Sequence, residues 1–403
     1  MRKVSLAWKM IIGIATGILF ALLFKEYVPY IEWMGTVFLR VLKMIMIPLV
    51  LSSLITGVSS ISSAGSLGRI GLKTIGYYFL TSMLAVITGM LLINIFHPGT
   101  GANLSLTGAP VISDLNAFSV KDTLVSIVPE NIFSSIAEGE MLPVIFTALF
   151  FGFFITRLQE KQRILLTDFF ASIFELTMKV TLFIMKLAPL GIFGLVAKLV
   201  SQQHDVAELF QRLGIYMLLV IGALFIHAMI TLPSILLLIG RINPLKHYGA
   251  MSTPLITAFS TASSNAALPL TMEAVKNRAG VSNKITSFTL PLGATINMDG
   301  TALFEVVAAL FIAQVYGLDL SAGQQFQMAL TALLASIGAA GIPMAGLVMM
   351  AIVLSVVGLP IEAVGLILAV DPILDMCRTT VNVLSDSCGA VVIAKSEGEI
   401  LKV

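Results

Sequence analysis

The stretch that decides the fold reads DPILDMCRTTVNVLSDSCGA and occupies residues 371–390. It follows an apolar run, and its polar side chains recur at helical spacing: Asp371, Asp375, Arg378, Asn382 and Asp386. At about 100° per helical residue, these five lie within about 100° of one face, and the opposite face is apolar. A charge at the bilayer centre costs roughly 2.5–3.5 kcal/mol. The pattern therefore predicts a membrane helix whose polar stripe faces protein, water or a ligand rather than lipid.

This polar stripe has two explanations. The guanidinium of Arg378 is a planar fork suited to a carboxylate, and Asp375, nearly one turn away, suits an ammonium group. Together they predict a ligand with both charges, such as an acidic amino acid. The alternative is a self-contained Asp375–Arg378 ion pair, spaced i,i+3, that only holds helices together. Asp371 receives no role from the pattern.

The composition is that of an integral membrane protein. Of 403 residues, 57% are hydrophobic and 11% charged, and the mean hydropathy is +0.99. Soluble domains average about 25% charged residues, so several membrane spans are expected. The net charge of +2 forms no basic patch of the kind that binds nucleic acid. The histidines have no metal-ligand spacing, and the two cysteines, about 16 Å apart along one helix, cannot pair within it.

Apolar runs of about 20 residues predict the spans. They lie near 5–25, 31–61, 71–96, 166–199 and 207–240, and a broken span with interfacial pieces lies at 126–157. We interpret the N-terminal run as a retained first span rather than a cleaved signal. With the N-terminus inside, most Lys and Arg residues fall on the inner side, as the positive-inside rule requires. The sequence thus predicts a multi-pass protein of the cell (inner or plasma) membrane with both termini cytoplasmic.

Two segments are unlike ordinary spans. The first is 249–275, with small polar residues at 260–265, and the second is 327–358, which contains ASIGAAGIPMAG at 335–346. Non-helical backbone at membrane depth is tolerated only where it is buried in protein or faces water, so both predict re-entrant helical hairpins. Each precedes a helix with a polar centre, a repeated unit that is typical of inverted repeats in secondary transporters. The alternative at each position is a simple loop.

The polar centre after the first hairpin is NMDGT at 297–301, within the helix predicted at 286–315. Asp and Gly together break a helix and free backbone carbonyls, which with a carboxylate form a hard-oxygen site suited to a small cation such as sodium. The alternative is an Asn/Asp turn that binds no ion. Glu305 follows among apolar residues, which predicts either a proton carrier or a carboxyl group hydrogen-bonded to a neighbouring helix.

Four motifs together carry a resemblance that covers essentially the whole chain. They are STASSNAALP at 260–269, LPLGATINMDGTALFE at 290–305, ASIGAAGIPMAG at 335–346 and DPILDMCRTTVNVLSDS at 371–387. With them, the chain resembles the dicarboxylate/amino acid:cation symporters, the glutamate transporter family. The resemblance implies an all-α integral membrane fold of eight transmembrane helices and two re-entrant hairpins with inverted repeats, assembled as a homotrimer. It also implies an elevator-type transporter, in which a rigid scaffold holds a mobile transport domain and the second hairpin is the gate.

The resemblance divides the chain between these two parts. The scaffold would comprise 1–70 (helices 1 and 2), 98–165 (an extracellular loop and helix 4) and 166–203 (helix 5). The transport domain would comprise 71–97 (helix 3), 204–245 (helix 6), 246–320 (the first hairpin and helix 7) and 321–403 (the second hairpin and helix 8).

The substrate residues of the family transfer by motif. The resemblance implies that Arg378 binds the substrate's side-chain carboxylate and that Asp375 and Asn382 hold its amino group. The remaining substrate contacts implied are Thr379, Ser264, Thr301 and the backbone of Ile342 and Gly346. Archaeal and animal members carry a second arginine at positions where this chain has Ala262 and Met376 respectively. The balance of charge around Asp375 therefore differs from theirs.

Three sodium sites are implied by the same resemblance. One comprises Gly293, Asn297, Asn382 and Asp386. Another comprises Thr295, Met298, Ser336, Ile337 and Ala339. A third comprises Tyr78, Thr81, Ser82, Asn297 and Asp299. Glu305 matches the members that co-transport a proton (H+), and potassium (K+) counter-transport is left open.

These features predict a secondary active symporter, not an enzyme, that takes up L-glutamate or L-aspartate with sodium and a proton. Two alternatives share the fold: a neutral amino acid carrier and a C4-dicarboxylate carrier. Arg378 argues against the neutral carrier, because neutral carriers of the family lack arginine there. A passive anion channel is a further alternative, and it could not accumulate solute. An intramembrane protease has no support, because no H-E-x-x-H motif occurs.

Overall fold

A computed structural model describes residues 6–60, 65–102, 104, 125, 127–138, 140–203, 205–338 and 345–403. The regular structure of these residues is helical. The first helices are α1 (Leu6–Leu23), α2 (Glu32–Ser60), α3 (Gly65–Phe96), α4 (Ile132–Glu138), α5 (Met141–Ile155), α6 (Glu160–Gln202) and α7 (Val206–Gly240). The others are α8 (Pro244–Thr261), α9 (Ser264–Glu273), α10 (Asn283–Ile296), α11 (Asp299–Val315), α12 (Ala322–Gly338), α13 (Ala345–Val356), α14 (Val364–Leu368) and α15 (Asp371–Ser396).

Helices lie where the apolar runs predict them. α1, α2, α3, α6 and α7 match the five predicted continuous spans, and the broken span at 126–157 consists of α4 and α5. Among the described residues, five helical segments are long and apolar enough to cross a membrane: Glu32–Ser59, Arg69–Phe96, Glu160–Gln202, Val206–Gly240 and Asn283–Val315. α15 is not among them because its polar stripe lowers its hydropathy. The count of eight transmembrane helices therefore stays a prediction.

The first predicted hairpin is a pair of packed helices, α8 and α9. The side chain of Asn243 caps α8, with Pro244 at the first helical position, and Ser263 caps α9. Between them Ala262 adopts a left-handed conformation, with φ 48°. Such a conformation costs roughly 1–2 kcal/mol for a residue with a β-carbon. The tip therefore falls inside the predicted segment 260–265.

The second predicted hairpin corresponds to α12 and α13, which pack against each other. Residues 339–344 of its predicted tip at 335–346, which include Ala339 and Ile342, lie outside the described residues. The helices of this hairpin contact both α2 and α11. They therefore lie between the two groups of helices described next.

The helices pack in two groups. α1, α2 and α5 pack on α6, whereas α3, α7, α8, α10 and α11 pack around α15 or on each other. α11 is the centre of the second group, and nearly all of its residues are buried. Apart from Asp299, Thr301, Glu305 and Gln314 its residues are apolar or glycine on all sides, the pattern of a helix enclosed by protein. Lys43 on α2 and Glu362, just before α14, form an ion pair of 3.3 Å.

Candidate functional site

The predicted helix break lies between α10 and α11. α10 ends at Ile296, and Asn297 and Met298 have non-helical backbone angles before α11 begins at Asp299. The last carbonyls of α10 and the first N–H groups of α11 therefore lack partners within their own helices. The break is buried, because Asn297 and Asp299 are both fully inaccessible to solvent. Such a place offers oxygen ligands to a cation inside the protein.

Asp299 is the most heavily hydrogen-bonded carboxylate at the break. Its Oδ1 accepts from Ser82 Oγ at 2.6 Å and from Thr81 Oγ1 at 3.2 Å. Its Oδ2 accepts from Ser385 Oγ at 2.6 Å and lies 3.1 Å from His227 Nε2. Three helices, α3, α7 and α15, thus converge on one carboxylate. Thr81, Ser82 and Asp299, which form part of one predicted sodium site, are brought together.

A second carboxylate, Asp386, lies beside the end of α10. Asn297 Nδ2 donates to Asp386 Oδ1 at 2.9 Å. A β-carbon at Gly293 would lie 2.5 Å from that oxygen and 2.7 Å from the hydroxyl of Tyr78. Glycine is therefore required for the carboxylate to approach the backbone of α10. Tyr78 donates to the carbonyl of Thr289 at 2.8 Å, so its hydroxyl faces α10 rather than Asp299.

The remaining predicted sodium ligands are placed less closely. Met298 sulfur accepts from Asn382 Nδ2 at 3.3 Å. The hydroxyls of Thr295 and Ser336 donate to carbonyls of their own helices. The side chain of Ile337 and all of Ala339 are outside the described part of the chain. The second predicted sodium site therefore stays a prediction.

Arg378 lies in the middle of the polar stripe and is fully buried. Its Nη2 donates to Asp375 Oδ1 at 2.9 Å. The same nitrogen lies 3.0 Å from Asp371 Oδ1, and this second contact is an ion pair whose angles are not those of a hydrogen bond. Its guanidinium carbon lies 3.7 Å from the ring centroid of Phe304, as in a cation–π contact. Nε and Nη1 have no hydrogen-bond partner among the described residues. A β-carbon at Gly346 would lie 3.1 Å from Nη1, so the start of α13 covers this edge.

The predicted ion pair between Asp375 and Arg378 is present, but it does not use the whole guanidinium. One nitrogen, Nη2, contacts both aspartates, whereas Nε and Nη1 have no hydrogen-bond partner among the described residues. Asp371, which had no role from the sequence, is thus a second counter-charge to Arg378. The two explanations of the stripe are compatible.

The other predicted substrate residues that the structure describes are buried. Asn382 binds the start of α11, because its Oδ1 accepts from Gly300 N at 2.8 Å and its Nδ2 donates to Thr301 Oγ1 at 3.2 Å. Ser264 begins α9, which packs on α15. Thr379 is buried beside Arg378 on α15.

Glu305 is fully buried on α11, and both of its carboxyl oxygens lack a hydrogen-bond partner among the described residues. Within that part of the chain, the predicted alternative of a bond to a neighbouring helix is not seen. An ionised carboxylate in such surroundings is costly. The site therefore suits the protonated, neutral form of the Glu305 carboxyl group.

Four residues of the site were not predicted: His227, Ser385 and Phe304 had no assigned place, and Asp371 had no partner. His227 gave a usable signal, because a single polar residue in the apolar run LFIHAMI at 224–230 is expensive unless it has a partner. The sequence could not say which partner. Phe304 gave no signal in an apolar helix.

Comparisons with known proteins agree over nearly the whole chain. A model described as the sodium:dicarboxylate symporter family matches residues 6–396. The chain is 39% identical to the proton/sodium-glutamate symport protein of Geobacillus stearothermophilus, over 99% of this chain and 96% of that protein. It is 39% identical to excitatory amino acid transporter 3 of Homo sapiens, over 96% of this chain and 83% of that protein. It is 36% identical to the proton/glutamate-aspartate symporter of Escherichia coli (strain K12), over 98% and 93%.

Proposed function

Because the chain belongs to the sodium:dicarboxylate symporter family, we propose that it takes up L-glutamate or L-aspartate with sodium and a proton. The family consists of transporters, so the chain is not an enzyme. It is a multi-pass membrane protein with several apolar helices. The relatives named above are glutamate or glutamate-aspartate symporters and excitatory amino acid transporters, which supports the substrate class.

The observation that carries the substrate proposal is the uneven distribution of partners among the guanidinium nitrogens of Arg378. Nη2 is held by two aspartates, whereas Nε and Nη1 have no partner within the described chain. The N–H groups of Nη1 and Nε are charge-assisted donors to which a substrate carboxylate can bind. Asp375, next to them, suits the substrate's ammonium group. The proposed contacts of the substrate are Arg378, Asp375, Asn382 and Thr379, with Ser264, Thr301, Ile342 and Gly346 around them.

Sodium is proposed as co-substrate at the three sites given above. The buried polar residues at the helix break support two of these sites, because they include two carboxylates, Asp299 and Asp386, beside freed backbone carbonyls. Hydroxyl, amide and carboxylate oxygens are ligands that hard cations prefer. Glu305 is proposed to carry the proton, and potassium counter-transport is left to experiment.

The proposed mechanism is of the elevator type, in a homotrimer of eight-span subunits with cytoplasmic termini. The proposed scaffold is 1–70, 98–165 and 166–203, and the proposed transport domain is 71–97 and 204–403. The two packing groups of helices support this division, because α1, α2, α5 and α6 form one group and the site-bearing helices the other. The second hairpin is proposed as the gate, since the start of α13 lies on Arg378.

The decisive experiment is uptake of labelled aspartate into proteoliposomes, with the sodium, proton and potassium gradients varied one at a time. Accumulation against a concentration gradient, driven by sodium alone, is expected; a passive channel cannot produce it. Excess unlabelled glutamate should compete and serine should not. Succinate separates the C4-dicarboxylate alternative, because it has no ammonium group for Asp375. Competition by succinate equal to that by aspartate would favour the dicarboxylate carrier.

A further inference from the structure

His227 is one of the buried polar residues around Asp299, and neither the motifs nor the proposed ligand sets include it. It is fully buried on α7, and its Nε2 lies 3.1 Å from Asp299 Oδ2. A carboxylate oxygen accepts hydrogen bonds, and in the tautomer with a proton on Nε2 the imidazole donates one to it. Nδ1 has no hydrogen-bond partner among the described residues. The imidazole can therefore act as a neutral donor to this carboxylate.

The four donors divide the Asp299 carboxylate into two sides. Oδ2 is bound by His227 and Ser385, and Oδ1 by Ser82 and Thr81. Thr81 Oγ1 is also 3.4 Å from Asn297 Oδ1. Hydroxyls can rotate to present an oxygen to a cation, whereas an imidazole N–H cannot. Oδ1 is therefore the side that can face sodium, and Oδ2 is the side that is held in place.

The backbone around His227 is itself fixed in an unusual conformation. α7 is π-helical at His227–Thr231, and π-helical segments are frequent at functional sites. The carbonyl of Ala228, the next residue, accepts a short hydrogen bond from the hydroxyl of Tyr248 on α8. The first hairpin thus holds the segment that presents the imidazole.

We propose that His227 is a positioning residue for sodium: it fixes the orientation of the Asp299 carboxylate without touching the ion. This rests on the proposed sodium coupling and deepens it. The chemical identity of the donor matters, because a lysine or arginine there would place a full positive charge one carboxylate away from the cation. A neutral imidazole supplies the hydrogen bond without that repulsion.

The test is a series of substitutions that differ in reach. His227→Gln keeps an amide N–H near the position of Nε2, His227→Asn has the same chemistry but is too short, and His227→Leu removes the donor. Partners of metal ligands typically contribute about 10–100-fold to metal affinity. We therefore expect the sodium concentration for half-maximal aspartate uptake to rise at least about tenfold in the Asn and Leu proteins and by less than about threefold in the Gln protein.

Two further measurements separate positioning from damage to the fold. Thermal stabilisation of the purified protein by sodium without aspartate should show the same order of affinities. The aspartate affinity at saturating sodium should stay within about twofold of wild type, well below the range expected for the sodium effect. His247 is the matched control, because it is equally buried and its Nε2 lies 3.0 Å from Ser387 Oγ rather than from a carboxylate. His247→Leu should lower the melting temperature and leave sodium affinity unchanged.

Unchanged sodium affinity in His227→Leu would overturn the inference, as would equal losses in the Gln and Asn proteins. An equal loss in His247→Leu would also overturn it, because any buried histidine would then matter alike. A wild-type protein without sodium dependence would instead contradict the proposed function, so the two failures are distinguishable.

Discussion

The side chain of Asn382 accepts a hydrogen bond from the backbone N–H of Gly300 at 2.8 Å. That N–H is one of the first in α11 and has no partner within its own helix. A β-carbon at Gly300 would lie 2.7 Å from the carbonyl oxygen of Arg378, so only glycine lets the two helices approach this closely. The helix break and the polar stripe are thus one structural unit, which provides a physical link between the proposed sodium and substrate sites.

Asn382→Ala should break that unit. The N–H of Gly300 would remain buried without a partner, at a cost of about 1–3 kcal/mol in the free energy of unfolding. Because the start of α11 would no longer be held against α15, we expect weaker binding of both sodium and aspartate. Thermal unfolding of the purified protein, with and without each ligand, measures both effects.

Thr301→Val is the matched control for that substitution. It removes one of the two acceptors of Asn382 Nδ2, the other being the Met298 sulfur, and leaves the bond to Gly300 intact. It should lower the melting temperature by less than half as much as Asn382→Ala. Equal losses would mean that the bond to Gly300 is not the important one.

Local signals explain why much of this arrangement could be predicted from the sequence. The tip at Ala262, the break at Asn297 and the one-sided stripe of α15 each follow from residues close together in the chain. Glycine, proline and capping residues determine where helices end, and helical spacing determines which side chains share a face. The positions of the elements were therefore predictable.

Beyond the Asp375–Arg378 pair, the partners of the buried charges were not predictable, because they come from a distant segment or from two turns away on the same helix. His227 and Asp299 are 72 residues apart in the chain, and an apolar run around a histidine does not say which carboxylate it meets. Asp371 and Arg378 share a face but are two turns apart, a rise of about 10.5 Å. Arg378 bridges this distance because helical side chains point toward the N-terminus and arginine is long.

Arg378→Cys should abolish high-affinity binding of acidic substrates. It removes two charge-assisted hydrogen bonds, each contributing about 1.5–3 kcal/mol, so the aspartate affinity should fall at least about a hundredfold. It also leaves the negative charges of Asp371 and Asp375 beside the substrate. Competition of labelled aspartate uptake by aspartate and by serine measures the change.

Arg378→Lys is the comparison for that prediction. Lysine keeps the charge but loses the planar fork, so its aspartate affinity should lie between those of wild type and the Cys protein. Unchanged aspartate affinity in Arg378→Cys would refute the assignment of the substrate carboxylate to this residue.

Glu397 gives a pH-dependent contribution to stability outside the membrane helices. Its carboxylate lies 2.5 Å from Lys73 Nζ and 2.5 Å from Arg69 Nη2, and its side chain is 11% exposed. Hydrogen bonds from Lys73 and then Arg69 lower the pKa of Glu397. A lowered folded pKa means that the stabilisation is present above the unfolded pKa of about 4.3 and is lost as pH falls through the folded pKa.

We therefore expect Glu397→Gln to lower the melting temperature at neutral pH and to match wild type progressively as pH falls below about 4. Glu175 is the control, because its ion pair with Lys179 is largely exposed and such pairs contribute little. Glu175→Gln should leave the melting temperature nearly unchanged. A constant difference between Glu397→Gln and wild type at all pH values would show that the ionised form does not stabilise the fold.

Glu305→Gln should remove the pH dependence of transport while sodium-driven uptake continues. Glutamine has the same shape but no ionisable proton, and the wild-type carboxyl oxygens have no partner in the described chain that the substitution would disturb. Initial aspartate uptake at fixed sodium, over a range of external pH, measures the effect, and proton co-entry can be followed with an internal pH dye. Glu362→Gln is the control: Glu362 is exposed and pairs with Lys43, so its loss should leave the pH profile as in wild type. An unchanged profile in Glu305→Gln would assign the proton to another group.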